Sequence, residues 1–285
     1  MSSVTLWPAP AKLNLFLHVT GRRGDGYHDL QTLFQLIDLA DDIRIQVRPD
    51  GLIERQAGAE GVPAEADLVV RAARALQAAS GTAQGATLNV IKRIPMGGGL
   101  GGGSSDAATA LVALNNLWKC GLNEDELAAI GVNLGADVPV FVRGRSAWGE
   151  GRGERLTAVE LPERWFVVLH PGVHVPTAAL FQAPELTRNS PPITMGGFLQ
   201  SGGRNDFEPV VRARYPQVAQ ALDWLGHFAP ARLTGTGACI FAPCASLNEA
   251  QDIVTRVRAP WRAMATRGMN VSPLLAVSAR AAPKG

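Results

Sequence analysis

The chain opens on an alternation of apolar and polar positions. In "AKLNLFLHV", Leu13, Leu15, Leu17 and Val19 point one way while Lys12, Asn14, Phe16 and His18 point the other, as a half-buried strand requires. Lys12 and Asn14 thereby share a face. "GRRGDGYHDLQT" reads as a turn-rich loop, followed by the apolar "TLFQLIDL" and the strand-like "DIRIQVR". The period changes at "ADLVVRAARALQAA", where Leu68, Ala72, Ala75, Leu76 and Ala79 recur at helical spacing with Arg71 and Arg74 opposite. "TLNVIKRI" predicts a strand, and "SSDAATALVALNNLW" a helix with Ser104 or Ser105 as its N-cap. "NEDELAAIGVNL" predicts a helix opened by a capping box of Asn123 and Glu126. "GADVPVFV" reads as a strand that Pro139 confines to an edge or a strand start.

The glycine- and charge-rich "RGRSAWGEGRGERL", residues 143–156, marks a boundary. Beyond it "WFVVLH" and "LLAVSA" read as strands, "YPQVAQALDWLGHF" and "SLNEAQDIVTRVRA" as helices, and "ARLTGTGACIFA" as a loop entering a strand. The pattern predicts two α+β halves, 1–155 and 156–285. With 285 residues, 46% apolar and 18% charged, the chain has enough sequence for a sizeable core and is not of disordered composition. A formal net charge of +2 gives no argument for nucleic acid or an anionic membrane as partner. Cys120, Cys239 and Cys244 form no CxxC pair, as expected of thiols in a reducing compartment. The N-terminal apolar run lacks a basic flank and is broken by Lys12, Asn14 and His18, so it does not read as a signal peptide. No uninterrupted apolar run approaches the ~18 residues that span a bilayer. These features together predict a soluble, cytoplasmic protein.

Six glycines fill seven positions in the stretch 97–103 of "IPMGGGLGGGSSDAATAL". Strand, glycine loop and helix in succession expose backbone N–H groups to a phosphate at a helix N-terminus, where the dipole also favours negative charge. A flexible surface loop, or close packing through small residues, would use the same glycines. A P-loop needs Lys before the Ser/Thr, and Gly103 stands there. Gly97, Gly99 and Gly102 satisfy GxGxxG, but Glu124 and Asp125, about 20 residues on, open a helix rather than end a strand as a dinucleotide unit requires. Ser104 and Ser105 add hydroxyls suited to phosphate or Mg²⁺. Without a lysine in the loop, positive charge must come from Lys92, Arg93 or Lys12.

Four blocks, "PAKLNLFLHVTGRRGDGYHDLQTLFQ", "PMGGGLGGGSSDAATALVALN", "LGADVPVFV" and "RLTGTGACIFA", occur in the order seen in the GHMP small-molecule kinases. The chain resembles that family from Trp7 to about Ser278. "DGYH" and "GADVPVF" resemble its branch that acts on a cytidine-diphosphate-linked tetritol. The resemblance implies a two-domain fold: a ribosomal-protein-S5-like ATP-binding domain over 1–155 and a ferredoxin-like α/β domain over 156–285 that completes the acceptor site. It implies transfer of the ATP γ-phosphate, with Mg²⁺, to the 2-hydroxyl of a small-molecule acceptor.

By local sequence Asp137 reads as a turn residue; the resemblance makes it and Lys12 the catalytic pair. The ATP phosphates fall to Pro95, Met96, Gly97, Gly98, Gly99, Leu100, Gly101, Gly102, Gly103, Ser104 and Ser105, with Lys92 beside them. Tyr27 and Phe181 match aromatics that sandwich the cytosine, His28 matches the residue that reads its edge, and Asn14 and Thr177 match further acceptor contacts. "TGTG", residues 234–237, matches a motif lying over the phosphate loop. No metal ligand is assigned, and both a monomer and a homodimer fit. Asp67 stands where the family commonly has Asn, which leaves adenine recognition to backbone groups. A homoserine- or mevalonate-type kinase would keep the loop but lack the Tyr27–His28 site; a nicotinamide-dependent oxidoreductase is the alternative of another class. Pro171 and Gly172 rule out a helical metal pair of His170 and His174, Cys239 and Cys244 read as packed thiols, and "NDFE", 205–208, as a helix N-cap.

Overall fold

A hairpin of two very long strands carries the rest of the molecule. In the computed structural model, which describes residues 4–281, β1 (Thr5–Arg22) runs antiparallel to β2 (His28–Arg48). The expected loop shrinks to residues 23–27, and the two apolar segments after it are one 21-residue strand. The ladder shifts register between Pro10 and Ala11 and again between Asn14 and Leu17. These irregularities bracket Lys12 and Asn14, and such bulges re-aim side chains at a site. Next come β3 (Ile53–Ala57), α1 (Leu68–Ser80) and β4 (Gly85–Ile91); β4 lies antiparallel to β2 and parallel to β3. The buried stripe of α1 is Val69, Val70, Ala72, Ala73 and Leu76, rotated slightly from the predicted one. The helices α2 (Gly102–Leu117), α3 (Glu124–Val132) and α4 (Val138–Arg143) follow. The capping box of α3 forms as read, with Glu126 N donating to Asn123 Oδ1 at 3.0 Å and Asn123 N to Glu126 Oε2 at 2.7 Å.

Two strand readings are corrected. "GADVPVFV" is the helix α4: Val138 to Val142 are all buried, so the run shows no alternation, and Pro139 sits in the first turn, where its missing N–H costs nothing. The boundary segment folds as a hairpin of β5 (Ala147–Gly151) and β6 (Arg155–Ala158), with β5 laid on β2. The remaining elements are β7 (Trp165–His170), α5 (Thr177–Phe181), α6 (Met195–Ser201), α7 (Glu208–Arg214), α8 (Pro216–Gly226), β8 (Arg232–Leu233), β9 (Ile240–Cys244), α9 (Leu247–Arg256), β10 (Arg262–Met269) and α10 (Pro273–Ala281). "LLAVSA" lies in α10, opened by Pro273 and by Ser272 Oγ, which accepts from Leu274 N at 3.1 Å.

β10 pairs with β7 over Arg262–Arg267 and forms ladder pairs with β2 at Gly268–Ile37 and Met269–Leu36, beside which Asp38 accepts from Thr266 Oγ1 and Arg267 N. That short seam joins the two halves into a ten-stranded sheet whose main path runs β3-β4-β2-β10-β7-β9-β8, with β1 and β5 also paired to β2 and β6 to β5. One core fills the space between β1, β2, β4 and the helices α1 to α4, and Leu274 of α10 returns to it. A second is built on β7, β9, α7, α8 and α9. A third, containing Leu13, Ile37, Leu100, Val168 and Cys239, lies where the halves meet. Among the described residues no helix is long and apolar enough to cross a membrane.

"NDFE" leads into α7, whose cap residue Phe207 makes no side-chain cap, so the N-cap reading is corrected and the polar side chains are used elsewhere. Asn205 Nδ2 donates to Leu233 O (3.0 Å) and Gly235 O (2.7 Å), while Asp206 Oδ2 accepts from Val19 N at 2.8 Å. The segment thus clamps the turn after β8 to β1. Asn205→Ala leaves two buried carbonyls without that donor and is expected to lower stability by about 1–3 kcal/mol. Urea unfolding checks this; an unchanged midpoint would show that the clamp carries no stability.

Candidate active site

β4 delivers the chain into the glycine loop, and α2 starts directly behind it. The cap residue of α2 is Gly101, in the left-handed conformation (φ 74°), with no side-chain cap. The N-cap expected at Ser104 or Ser105 is therefore corrected, since both lie inside the first turn. An uncapped helix start leaves its first N–H groups free for an anion. The "TGTG" turn packs across the loop, with Ala238 N donating to Gly97 O (3.2 Å) and Cys239 N to Gly98 O (3.1 Å). A Cβ on Gly99 would land on the Thr234 carbonyl, and one on Gly101 would sit 2.8 Å from the Phe141 ring and 3.2 Å from Lys12 Cε. Packing from behind thus demands bare backbone as much as an anion in front does. A cavity of about 360 Å³ lies along this loop, bordered by residues 95–104 and by Lys92, Asp67 and Asp106.

Lys12 is 2% exposed. Its ammonium donates to Asn14 Oδ1 (2.5 Å) and Gly99 O (3.0 Å) and stands 3.3 Å from Asp137 Oδ2. Asn14 is fixed in turn: its Nδ2 donates to Thr32 Oγ1 at 2.9 Å, and its backbone N to Thr234 Oγ1 at 3.0 Å. Asp137 precedes the first turn of α4 and keeps a third of its side chain open.

These residues form one wall of a second, larger cavity of about 710 Å³. Asn14, Tyr27, His28, Thr177 and Phe181 all border it, so the structure gathers the acceptor residues named from sequence. Gly99, Gly101 and Ser104 border both cavities, and Lys12 and Asp137 lie beside that junction. Thr177 Oγ1 and Thr236 Oγ1 are 2.8 Å apart, tying α5 to the "TGTG" turn. The His28 and Phe181 rings lie 5.1 Å apart, tilted by 31°, and Phe207 meets Phe181 edge-on. Sequence reasoning missed Arg152, whose guanidinium lies 3.9 Å over the exposed Tyr27 ring, and Arg188, which bonds His28. Both sit in loops with no periodicity, so only the fold brings them to the cavity.

The models for the GHMP kinases N terminal domain and the GHMP kinases C terminal domain match residues 67–145 and 185–263. A 4-diphosphocytidyl-2-C-methyl-D-erythritol kinase from Halorhodospira halophila is 54% identical over the full length of both chains. The chain belongs to the GHMP kinases. A relative of the same description from Chromohalobacter salexigens is 56% identical over 94% of this chain and 92% of its own. The crystal structure of a 4-(cytidine 5'-diphospho)-2C-methyl-D-erythritol kinase superposes with a TM-score of 0.81 at 35% identity, covering 93% of this chain and all of the other. A homoserine kinase from Cytophaga hutchinsonii, 17% identical with a TM-score of 0.66, shares the fold. The oxidoreductase alternative is thereby set aside.

Two expectations about the phosphate side of this GHMP kinase are corrected. Ser105 is fully buried and its hydroxyl donates to Pro10 O at 2.6 Å, so it ties α2 to β1 instead of facing a ligand. Lys92 borders the smaller cavity, yet its ammonium bridges Asp41 (2.5 Å) and Asp106 (2.7 Å), so its charge is already matched. Burial opposes the charge on Lys92, but the two carboxylates hold its pKa above the usual value. Asp67 caps α1 through Val69 N at 3.1 Å and pairs with Arg55. Burial of Cys239 pushes its thiol pKa up, as in a packed, unreactive thiol.

Burial pushes the Asp106 carboxyl up to about 7, with Lys92 pulling it down and Asp41 pushing it further up. A carboxyl raised in the folded state stabilises below its unfolded range near ~4, and that contribution is lost as pH rises through the folded value. Wild type should therefore lose stability relative to Asp106→Asn between pH 5 and pH 8, read as urea midpoints. A gap that stays constant across this window would mean Asp106 does not hold the extra proton.

Proposed function

We propose that this chain catalyses ATP-dependent phosphorylation of the 2-hydroxyl of 4-diphosphocytidyl-2-C-methyl-D-erythritol, giving the 2-phosphate, in the methylerythritol phosphate route to isoprenoids. The observation that carries the reading is the Lys12–Asp137 pair at 3.3 Å, beside the three residues shared by a glycine-lined cavity and an aromatic-lined one. The smaller cavity suits the ATP phosphates. The larger offers stacking surfaces for a base at Tyr27 and Phe181, with room for a sugar alcohol reaching toward Asp137.

Phosphoryl transfer is mostly positioning and charge stabilisation. Asp137 accepts the proton of the attacking hydroxyl. The Lys12 ammonium, held by Asn14 and Gly99, stabilises the charge developing on that oxygen and orients the Asp137 carboxylate. Asn14 and Thr177 are placed to hold the acceptor, and Tyr27, His28 and Phe181 its cytosine. Free N–H groups at the start of α2 receive the phosphates.

GHMP kinases use ATP, generally with a divalent metal. Among the described residues no three His, Cys, Asp or Glu side chains are grouped to hold one. We infer that the metal is Mg²⁺, which keeps most of its waters and binds through phosphates plus one or two protein oxygens. Ser104 Oγ is the side-chain oxygen at the junction suited to it, and the ion would neutralise phosphate charge there. The functional division near residue 155 follows the same reading, with the phosphate loop in the first part and Thr177 and Phe181 in the second.

Phosphorylation rates with the cytidine-linked acceptor and with free methylerythritol test the substrate. A strong preference for the former is expected, and equal rates would overturn the assignment. Asp137→Asn should bind ATP normally while turnover falls by on the order of 10²–10⁴. Near-normal turnover would remove Asp137 from the role of base.

A further inference from the structure

His28 borders the acceptor cavity, yet one of its two ring nitrogens is already taken. Arg188 Nε donates to His28 Nε2 at 3.1 Å. The same guanidinium donates to Phe181 O (2.9 Å), Ala183 O (2.7 Å) and Leu186 O (3.1 Å), so each of its nitrogens is engaged. Arginine does not deprotonate in proteins, so Nε2 is the acceptor in this contact and must carry no proton. In neutral imidazole the proton then sits on Nδ1, because the bond made by one ring nitrogen sets the state of the other. Among the described residues no protein group pairs with Nδ1, which leaves that N–H for a ligand. Burial, then Arg188, then Arg22, hold the His28 pKa below its ordinary value, so the ring is neutral at pH 7.

A fixed N–H donor distinguishes pyrimidines. Cytosine presents a lone pair at N3, whereas uracil presents N3–H. Opposite Nδ1–H, the first makes a hydrogen bond and the second leaves two donors facing each other unpaired.

We propose that Arg188 is a specificity-determining positioning residue: by donating to His28 Nε2 it locks the imidazole as an Nδ1–H donor that accepts cytosine and rejects uracil, and through Phe181 O it holds the stacking ring in register with that donor. The inference rests on the cytidine-linked acceptor assigned above. It explains why a single guanidinium links the backbone carrying the stacking residue to the residue that reads the base edge. It adds no group to the chemistry, because Arg188 acts through His28 and Phe181.

Two measurements on the full-length chain test it. ¹⁵N spectra of histidine-labelled wild type should show His28 protonated at Nδ1 and bare at Nε2 at pH 7.5. A proton on Nε2 there would overturn the proposal whatever the variants do. Binding of CDP and UDP, compared by calorimetry, gives the second readout. Wild type should prefer CDP by roughly 10–100-fold, the worth of a buried donor left unpaired. In Arg188→Met that preference should collapse toward unity, while the KM for ATP and kcat at saturating acceptor stay close to wild type. Arg188→Lys, which keeps one donor but cannot bridge His28 and three carbonyls, should recover part of the preference.

A folded Arg188→Met that keeps the full CDP preference would overturn the role of Arg188 while leaving the kinase reading intact. Wild type that binds neither nucleotide would instead remove the functional reading, and the proposal with it.

Discussion

A buried ammonium must be fully paired, and the architecture of this site follows from satisfying that demand at Lys12. Desolvating a cation is costly unless oxygens replace its water. Here they arrive from three directions: Asn14 on the same strand, the Gly99 carbonyl of the phosphate loop, and Asp137 at the start of α4. Each needs its own support. The bulges flanking Lys12 and Asn14 adjust the strand, Gly101 leaves room for the lysine stem, and the buried apolar run of α4 anchors the aspartate. The residue proposed to stabilise the reacting oxygen is thus also the point where three elements are joined.

The glycine loop answers to constraints on both sides. In front, bare N–H groups at the start of α2 favour a phosphate. Behind, the "TGTG" turn approaches so closely that a Cβ at Gly99 would strike the Thr234 carbonyl. That turn is held by Asn205 and linked through Thr236 to Thr177, so the donor loop and the acceptor wall share one framework. The second half therefore shapes the phosphate site without contributing to the loop itself. The loop needs no lysine of its own, because the Lys12 ammonium reaches it from β1. Lys92, by contrast, is committed to Asp41 and Asp106 and serves the seam between β2, β4 and α2.

The acceptor cavity divides its labour differently. Besides Lys12 and Asp137 its charged members are arginines, and the two beside the aromatics do unlike things. Arg152 lies 3.9 Å over the exposed Tyr27 ring, a contact that a stacking base would have to displace or share. Arg188 is spent on three carbonyls and a ring nitrogen, and so holds its neighbours in place. Flat surfaces give stacking energy with little discrimination, and discrimination comes from a fixed donor beside them.

Much of this was legible in the chain. Alternation in "AKLNLFLHV" put Lys12 and Asn14 on one face, the glycine run marked a helix start, and the capping box at Asn123 was visible from two residues, because each depends on neighbours within a few positions. The "GADVPVFV" and "LLAVSA" segments misled for a matching reason. Short apolar runs lose their period when every side is buried, and only packing decides between strand and helix. Ser105 and Lys92 looked like phosphate ligands by position, but Pro10 and Asp41, distant in sequence, and Asp106 on α2 claim their polar groups. Arg152 and Arg188 lie in aperiodic loops and acquire meaning only where β2, α5 and the β5–β6 hairpin converge. By itself the sequence determined most of the local elements and, through its resemblance to a family, which groups are proposed to react. The partners those groups keep, and hence which remain free for a ligand, were decided by the tertiary structure, because hydrogen bonds across 87 and 220 residues are set by how the chain closes on itself.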